Sequence, residues 1–361
     1  MVSGHCGLAW ALACAVLLRG AGADRPAPQY GVDLTEEPRR RWDAVVRDHL
    51  FVVPAIRRMT TRVVPVVLQP ALNFLGRRLM HFFPEEYAEE IRGMAELSGL
   101  NEGELALFNV LYDVVAFNRR LGTSPKACTS IVGENDKGQL WHGRNLDFAF
   151  GDILRNITIV THFKRANRTL YSTVSFAFYV GALTGQRPGA FTVSLNERNS
   201  GSIFENVLMA LLTRFHSPAC FVIRKALHDC ADFERAVSYL GTVKMMAPSY
   251  LIVGGVGHGE GVVLTRDRWR TKDYWFLDTA LPDRWFAVET NYDHWRAPPA
   301  GDPRRNFAID QMKHIGKKNY TAQTLFALMS TRPIITRLSI YTTVMSAAHP
   351  EVMASRTVIR T

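Results

Sequence analysis

The pattern of apolar residues changes abruptly at Cys128, and this change limits the folds that the chain can adopt. Before Cys128, apolar residues recur at helical spacing, as at 102–117, where Asn101 and Glu104 form a capping-box pattern. After it, short runs rich in β-branched and aromatic residues alternate with turn signals, which is typical of strands. This order predicts an α+β fold with a layered, largely antiparallel sheet.

The boundaries of the predicted elements follow from the same patterns. Helices are predicted first at residues 37–53, 57–83 (amphipathic and broken), 85–97 and 102–117. Strands are predicted at residues 129–132, 139–145, 157–163, 170–178, 190–194, 250–253, 262–265, 284–289 and 338–345. Further helices are predicted at residues 203–215, 221–228, 232–240 and 322–329. The glycine-rich stretch at 254–261 separates two strands, so we interpret it as a hairpin turn and not as a phosphate loop.

The amino terminus predicts a secretory signal peptide over residues 1–23. An apolar run at 7–18 contains no acidic residue, and small residues end the stretch at Ala23. Three glycosylation sequons agree with passage through the secretory pathway, at Asn156, Asn167 and Asn319. The sequence therefore predicts a glycoprotein whose mature chain begins at Asp24.

Three cysteines follow the predicted signal, too few for a disulfide scaffold. Cys220 and Cys230 lie ten residues apart in a predicted helix, which separates them by about 15 Å. That separation is too large for a disulfide, and an odd number leaves at least one thiol free. Cys128 is then either a buried, inert side chain or an exposed, reactive one.

The residues before Cys128 favour the reactive alternative. Residues 118–126 are polar and basic and contain Gly and Pro, so they are predicted to form an exposed loop. Cleavage between Ala127 and Cys128 would create a chain that begins with a cysteine and carries both a thiol and an α-amine. One residue would then supply the nucleophile and its general base.

Arg144 and Asp147 are the predicted helpers of this cysteine. A cation lowers the pKa of a thiol and of an amine, and a carboxylate orients the amine. Both residues lie on the return strand of a hairpin that starts at Cys128 and turns at residues 135–138. Because they are three positions apart, Asp147 must lie past the end of the strand or beyond a bulge for both to serve. His142 is a rival base, which we interpret as structural.

The net charge of +10 favours acidic partners. Residues 63–83 are too interrupted to span a bilayer, and with the arginines before them they have the composition of a helix on an anionic membrane. A core helix with solvated arginines is the alternative. The signal favours lipid over nucleic acid, for which no motif is present. The predicted membrane contacts are Arg57, Arg58, Arg62, Phe74, Leu75, Arg77, Arg78, Phe82 and Phe83.

Four motifs together resemble the acid ceramidase family of N-terminal-nucleophile cysteine hydrolases. They are CTSIV…HGRNLDF at 128–148, YVGALTGQRPGAFTVSLNER at 179–198, VETNYDHW at 288–295 and LSIYTTVMS at 338–346. The resemblance implies an αββα sandwich of antiparallel sheets and a precursor that cleaves itself before Cys128 in acid. It also implies that a helical piece, 24–127, and a catalytic piece, 128–361, remain together as a heterodimer.

The resemblance also implies a role for each site residue. Cys128 is the expected nucleophile, and Arg144 and Asp147 are expected to position it and its amine. Glu197 matches the active-site glutamate of the family, and Asn291 matches its oxyanion-side asparagine, with a turn residue as the alternative. The histidines and cysteines show no metal-ligand spacing, so neither a metal nor a cofactor is expected.

Substrate choice rests on smaller features. Within the resemblance, two features favour fatty-acid ethanolamides such as N-palmitoylethanolamine: the residues Thr184–Gln186 and the absence of cysteine from the tail, 346–361. One feature, Ser194–Arg198, favours ceramide. We therefore expect a lysosomal, peripherally membrane-associated amidase that acts on fatty-acid ethanolamides. The alternatives are ceramide hydrolysis and a non-catalytic lipid-binding glycoprotein. The loop before Cys128 is longer than in vertebrate relatives, so trimming by another protease is considered, but only cleavage at the 127–128 bond frees the amine.

Overall fold

The computed structural model describes residues 24–63, 65–115, 128–148, 151–198 and 218–361. The predicted signal, the predicted loop at 118–126, Ala127 and the predicted helix at 203–215 lie outside these residues. Within them, two β-sheets lie face to face and helices cover their outer faces. This αββα arrangement confirms the predicted fold class.

The described residues contain fourteen strands in two sheets. The strands are β1 Arg25–Pro26, β2 Gln29–Asp33, β3 Thr129–Glu134, β4 Leu140–Asp147, β5 Thr158–Arg165, β6 Arg168–Phe176, β7 Thr184–Arg187, β8 Phe191–Glu197, β9 Ser249–Gly254, β10 Gly261–Arg266, β11 Thr271–Phe276, β12 Phe286–Glu289, β13 Ser339–Met345 and β14 Val358–Ile359. One sheet has the order β1-β14-β13-β4-β3-β12, and the other has the order β11-β10-β9-β8-β7-β6-β5-β2. Neighbouring strands are antiparallel except β2 and β5, which are parallel.

Helices form the two outer layers and most of the described residues before Cys128. They are α1 Asp43–Asp48, α2 Val53–Val63, α3 Gln69–Leu79, α4 Glu85–Ser98, α5 Glu102–Val115, α6 Gly151–Ile157, α7 Ala219–Asp229, α8 Phe233–Thr242, α9 Arg304–Asn319, α10 Ala322–Met329 and α11 Glu351–Ser355. The α9 and α10 helices contact the six-stranded sheet, and α7 and α8 contact the eight-stranded sheet. Buried apolar side chains fill the layers between them.

Each predicted strand is present, with boundaries shifted by one to three residues, and residues 254–261 form the predicted turn between β9 and β10. Three longer strands, β2, β7 and β11, were not predicted, and neither was α9. The predicted helix at 37–53 is wrong in its first part, because turns precede α1. Cys220 and Cys230 are both buried and unbridged, as their spacing predicts.

We call the described residues before Cys128 the N-terminal segment. The prediction that this segment is wholly helical is wrong, because it also contains β1 and β2. The β1 strand pairs with β14 at the edge of one sheet, and β2 pairs with β5 at the edge of the other. A buried ion pair adds a third connection, because Arg224 on α7 binds both carboxylate oxygens of Glu90 on α4 at 2.5 and 2.7 Å. The N-terminal segment is therefore built into both layers of the sandwich.

The predicted membrane-contacting stretch forms a broken helix, as expected. The α2 helix is followed by a 3-10 turn at Val66–Leu68, by α3 and by a second 3-10 turn at Met80–Phe82. The five predicted arginines and Phe74, Leu75 and Phe82 are exposed. The prediction is wrong for Phe83, which is buried and packs edge-on against Phe221. None of the described helices is long and apolar enough to cross a bilayer.

Candidate active site

Cys128 lies directly before β3 and is held through its backbone on both sides. Its N–H donates to Oδ1 of Asn291 at 2.9 Å, and its carbonyl oxygen accepts from Nη1 of Arg304 at 2.8 Å. The residue is 2% exposed and belongs to the main apolar core. The Cys128 backbone is therefore fixed by side chains that follow it by more than 160 residues in the chain.

Asn291 follows β12 and is oriented by a second hydrogen bond. Its Nδ2 donates to the carbonyl oxygen of Glu197 at 3.0 Å, which turns Oδ1 towards the nitrogen of Cys128. This contact supports a role in orienting the nitrogen that would become the α-amine. Stabilisation of an oxyanion by Asn291 stays a prediction, since its amide donor is directed at Glu197 here.

Arg304 is a site residue that sequence reasoning missed. It lies at the start of α9, where Asp302 pairs with its guanidinium at 2.6 Å. Besides the carbonyl of Cys128, it reaches Oγ1 of Thr129 at 3.2 Å and Oδ1 of Asn291 at 3.4 Å. The sequence around it carries no motif that marks this role, and the unpredicted helix α9 hid its position.

Arg144 and Asp147 lie on β4 and face different surroundings, as their spacing requires. The Arg144 guanidinium donates to Oδ1 of Asn196 in the facing sheet. Asp147 is the last residue of β4, next to a shift in register between β4 and β13 at Ser339–Tyr341. The Ser339 hydroxyl donates to Oδ1 of Asp147 at 2.5 Å. The extra residue at this shift, Ile340, lies on β13 and not on β4, so the joint role of Arg144 and Asp147 at Cys128 stays a prediction.

Burial dominates the electrostatics of Asp147. It raises the pKa of this carboxyl to about 7, although the Ser339 hydrogen bond and the charges of Arg304 and Arg144 act in the opposite direction. Among the described residues, Oδ2 of Asp147 is buried and has no hydrogen-bond partner. Asp147 is therefore mostly protonated in mild acid and loses its proton near neutral pH.

Glu197 and His142 are both buried. Glu197 ends β8, and the contact that it makes with Asn291 is through its backbone carbonyl. The ring of His142 contacts the hydroxyls of Thr192 at 3.0 Å and Ser194 at 2.8 Å. Burial and the charge of Arg144 lower the pKa of His142 to about 3. His142 is therefore neutral and already hydrogen-bonded, in agreement with its interpretation as a structural residue.

Tyr341 is a second residue of the site that sequence reasoning missed. Its hydroxyl lies 2.8 Å from Oγ1 of Thr184 on β7 and also hydrogen-bonds to Arg144. It lies on β13 within the LSIYTTVMS motif, opposite Leu146. The motif marks the strand, but only the pairing of β13 with β4 brings the side chain to Arg144.

An apolar cavity of about 210 Å³ lies between the N-terminal segment and the sandwich. The N-terminal segment and the sandwich both supply its wall. Among the lining residues are Ile56, Met59, Leu72, Leu105 and Phe108 from the first and Leu146, Phe148, Phe176, Tyr179 and Leu183 from the second. Leu146 and Phe148, which line the cavity, flank Asp147 in the chain.

The comparisons with known proteins agree with this geometry. The linear amide C–N hydrolases, choloylglycine hydrolase family, match residues 128–313, a region that begins at Cys128. It also contains Arg144, Asp147, Asn291 and Arg304, and it exceeds half of the chain. The chain belongs to this family. It is therefore an amide-hydrolysing enzyme of the N-terminal-nucleophile cysteine type.

Similar proteins refine the placement of this amide hydrolase. It is 40% identical over 335 residues to the N-acylethanolamine-hydrolyzing acid amidase of Caenorhabditis elegans, covering 92% of both chains. The identity is 38% over 332 residues to the amidase of the same name from Cavia porcellus, covering 91% of this chain and 90% of the relative. Human acid ceramidase is 33% identical over 346 residues, covering 88% and 83%. The predicted resemblance to the acid ceramidase family is thereby confirmed.

A solved structure shows the same relationship. The Caenorhabditis elegans N-acylethanolamine-hydrolyzing acid amidase ortholog aligns with a TM-score of 0.60 at 40% identity. It covers 65% of this chain and 100% of that chain. The amide hydrolase therefore shares the fold of an enzyme whose name describes hydrolysis of N-acylethanolamines.

Proposed function

We propose that this enzyme hydrolyses fatty-acid ethanolamides to a free fatty acid and ethanolamine, after cleavage of its own chain before Cys128. The observation that carries the proposal is the apolar cavity whose wall includes Leu146 and Phe148, the residues on either side of Asp147 in the chain. A long acyl chain is the part of such a substrate that an apolar cavity accommodates, because burial removes its methylene groups from water.

The cleavage reaction begins in the uncut chain. The Cys128 thiol attacks the carbonyl carbon of Ala127, and the nitrogen of Cys128 takes a proton as the carbon–nitrogen bond breaks. Water then hydrolyses the resulting thioester, which releases the carboxylate of Ala127 and leaves a free thiol and a free α-amine on Cys128. Asn291 supports this step because its Oδ1 already accepts from the departing nitrogen.

The substrate reaction uses the amine that the cleavage produces. The α-amine takes the thiol proton as the sulfur attacks the amide carbonyl, and the resulting ammonium gives a proton to the departing ethanolamine nitrogen. Water then attacks the acyl thioester, the amine takes a proton from that water, and the fatty acid leaves as the thiol reforms. Arg304 holds the carbonyl of Cys128 during both steps and so fixes the backbone from which the thiol projects.

Ceramide remains the second substrate class. It also has a fatty acyl amide, and one of the similar proteins is named acid ceramidase. The names of the two relatives at 38–40% identity favour ethanolamides. The two substrates differ in the amine that leaves, which is smaller in an ethanolamide. Their hydrolysis rates must therefore be compared directly.

We further propose a peripheral membrane location in the lysosome. The exposed apolar side chains of the 3-10 turn after α2 and of α3 lie beside exposed arginines, which suits an anionic bilayer. The most exposed are Val66 at 65% and Val67 at 81% in the turn and Phe74 at 61% on α3. The sequon residues Asn156, Asn167 and Asn319 are exposed, which suits glycosylation in the secretory pathway.

A substitution in the cavity tests the substrate assignment. Ile56→Trp fills part of the cavity from the N-terminal segment, and Ile309→Trp is a matched change at a partly buried isoleucine of a different core cluster. We expect Ile56→Trp to raise KM for a hexadecanoyl ethanolamide about tenfold relative to an octanoyl ethanolamide, because the longer chain needs more of the cavity. Equal effects of the two variants on both substrates would contradict the assignment. Ceramide, assayed beside them, is expected to have the lower kcat/KM.

A further inference from the structure

Asn196 on β8 lies fully buried between the two sheets and uses all of its hydrogen-bonding capacity. Its Oδ1 accepts from the Ser130 hydroxyl at 2.9 Å and from the Arg144 guanidinium. Its Nδ2 donates to the carbonyl oxygens of Glu289 at 2.9 Å and Thr290 at 2.8 Å. None of these four partners lies on β8, the strand that carries Asn196.

These contacts join two parts of the active site that the chain keeps far apart. The amide oxygen accepts from Arg144 on β4, and the amide nitrogen donates to the two residues that immediately precede Asn291. Asn291 in turn orients the nitrogen of Cys128. A single rigid side chain therefore sets the distance between the cation of the site and the acceptor for the nucleophile's nitrogen.

The proton arrangement around Asn196 is determined by its neighbours. Because Oδ1 is an acceptor, Ser130 must donate to it, so Ser194 must donate to Ser130 across their 2.9 Å contact. Because Ser194 has donated its one proton to Ser130, it must accept a hydrogen bond from His142 across their 2.8 Å contact. Nε2 of the histidine therefore carries a proton. The hydrogen bonds therefore run in one direction, from neutral His142 to Asn196.

We propose that Asn196 is a positioning residue for the amide hydrolysis, acting through Arg144 and Asn291. It does not touch the thiol or the substrate. The inference rests on the proposed function, in which Cys128 is the nucleophile. The relay from His142 keeps the Asn196 amide in one orientation, so that its acceptor faces Arg144 and its donor faces residues 289–290.

The test compares Asn196→Ala with Asn145→Ala. Asn145 is also fully buried, and it lies next to Arg144 on β4, but its side chain binds the carbonyl of Met329 and the hydroxyl of Thr342. We expect Asn196→Ala to lower kcat at least about 100-fold with KM changed less than about threefold, because small displacements of catalytic groups reduce rates by that order. Asn145→Ala is expected to keep kcat within about threefold.

A second measurement separates positioning from loosening of the fold. The alkylation rate of Cys128 by iodoacetamide is measured on the matured variants without substrate. The proposal assigns Arg144 to activation of the thiol, so Asn196→Ala should alkylate about tenfold more slowly than the wild type. A merely structural defect would expose the buried thiol and speed the reaction. Faster alkylation, or a kcat equal to that of the wild type, would overturn the proposal.

Two further outcomes are covered by the same design. If Asn196→Ala folds but remains uncut, its self-cleavage rate replaces kcat, and Asn145→Ala must then cleave at the wild-type rate. If Asn196→Ala does not fold, Ser130→Ala removes one donor to Oδ1 and is expected to lower kcat about three- to tenfold. An unchanged Ser130→Ala would overturn the inference. An inactive wild type would instead overturn the proposed function.

Discussion

The nitrogen of Cys128 lies 2.9 Å from Oδ1 of Asn291, although 163 positions separate the two residues in the chain. The same cysteine is held from the other side, where Arg304 binds its carbonyl oxygen. A thiol on a backbone fixed at both its N–H and its carbonyl has few directions available to it. The sandwich thus supplies much of the orientation that nucleophilic catalysis requires.

Replacing Arg304 tests this clamp. We expect Arg304→Met to lower both the self-cleavage rate and kcat about 100-fold, because the Cys128 carbonyl loses its charged partner and the Asp302 carboxylate loses its ion pair. Rates are measured by gel densitometry and by fatty-acid release. Arg266→Met is the matched control, since Arg266 is also buried but binds the carbonyl of Leu240. A wild-type rate for folded Arg304→Met would refute the clamp.

Asp147 predicts a specific dependence of stability on pH. Burial raises the pKa of Asp147 to about 7 in the folded chain, whereas an unfolded aspartate titrates near about 3.9. The folded state therefore binds the extra proton between these values, and its stabilising effect is complete below about pH 4 and lost as pH rises to about 7. The loss amounts to at most about 4 kcal/mol.

Asp147→Asn removes this dependence, because the amide does not titrate. Both proteins are compared by urea unfolding in a Cys128→Ala background, which keeps the chains uncut. We expect the free energy of unfolding of the aspartate form to fall relative to the asparagine form between about pH 4.5 and pH 7. Glu289, whose pKa burial raises well above its ordinary value, is present in both and cancels. A difference that is constant with pH would contradict the assignment.

The Glu90–Arg224 ion pair predicts how the N-terminal segment stays attached. Arg224→Met leaves the buried Glu90 carboxylate without its bidentate partner, although Trp42 still donates to it at 2.9 Å and Arg41 at 3.2 Å. We expect a loss of at most about 3 to 5 kcal/mol in the free energy of unfolding, measured with urea, because Arg41 keeps part of the pairing. The double variant Glu90→Leu/Arg224→Met should recover most of that loss. A double variant as unstable as the single one would argue against the lost pairing of Glu90 as the cause.

The exposed apolar face near α2 and α3 predicts binding to anionic vesicles. Val67→Asp/Phe74→Asp adds two carboxylates to that face, so co-sedimentation with phosphatidylserine-containing vesicles should weaken at least about tenfold. Val256→Asp/Leu281→Asp makes the same change at two exposed apolar residues elsewhere. Equal losses in the two double variants would assign the effect to net charge and not to this face.

Sequence patterns recover the framework of the site because β-branched runs and turns are local signals. They place Cys128 before a strand and Arg144 and Asp147 on the strand that pairs with it. The resemblance adds Glu197 and Asn291. These residues stand in recognisable motifs, which is why they could be named without a structure.

What the sequence does not reveal depends on packing between distant segments. Arg304 lies on a polar helix with weak amphipathic character, and it reaches Cys128 only because α9 packs on β12 and β3. Asn196 has an ordinary strand position until the facing sheet brings Arg144 to it. The β2 strand escaped prediction because its edge position leaves few buried apolar residues to form an alternating pattern. The burial of Phe83 likewise follows from contact with α7 and not from local composition.

The central claim is that Cys128 becomes an amino-terminal nucleophile. The most direct test is intact mass and amino-terminal sequencing of the deglycosylated protein after incubation at about pH 4.5 and at neutral pH, beside Cys128→Ser. We predict a new amino terminus at Cys128 that forms in acid in the wild type, with amide hydrolysis appearing at the same rate. A chain that hydrolyses amides while uncut, or that is cut only at Arg120 or Lys126, would contradict the account.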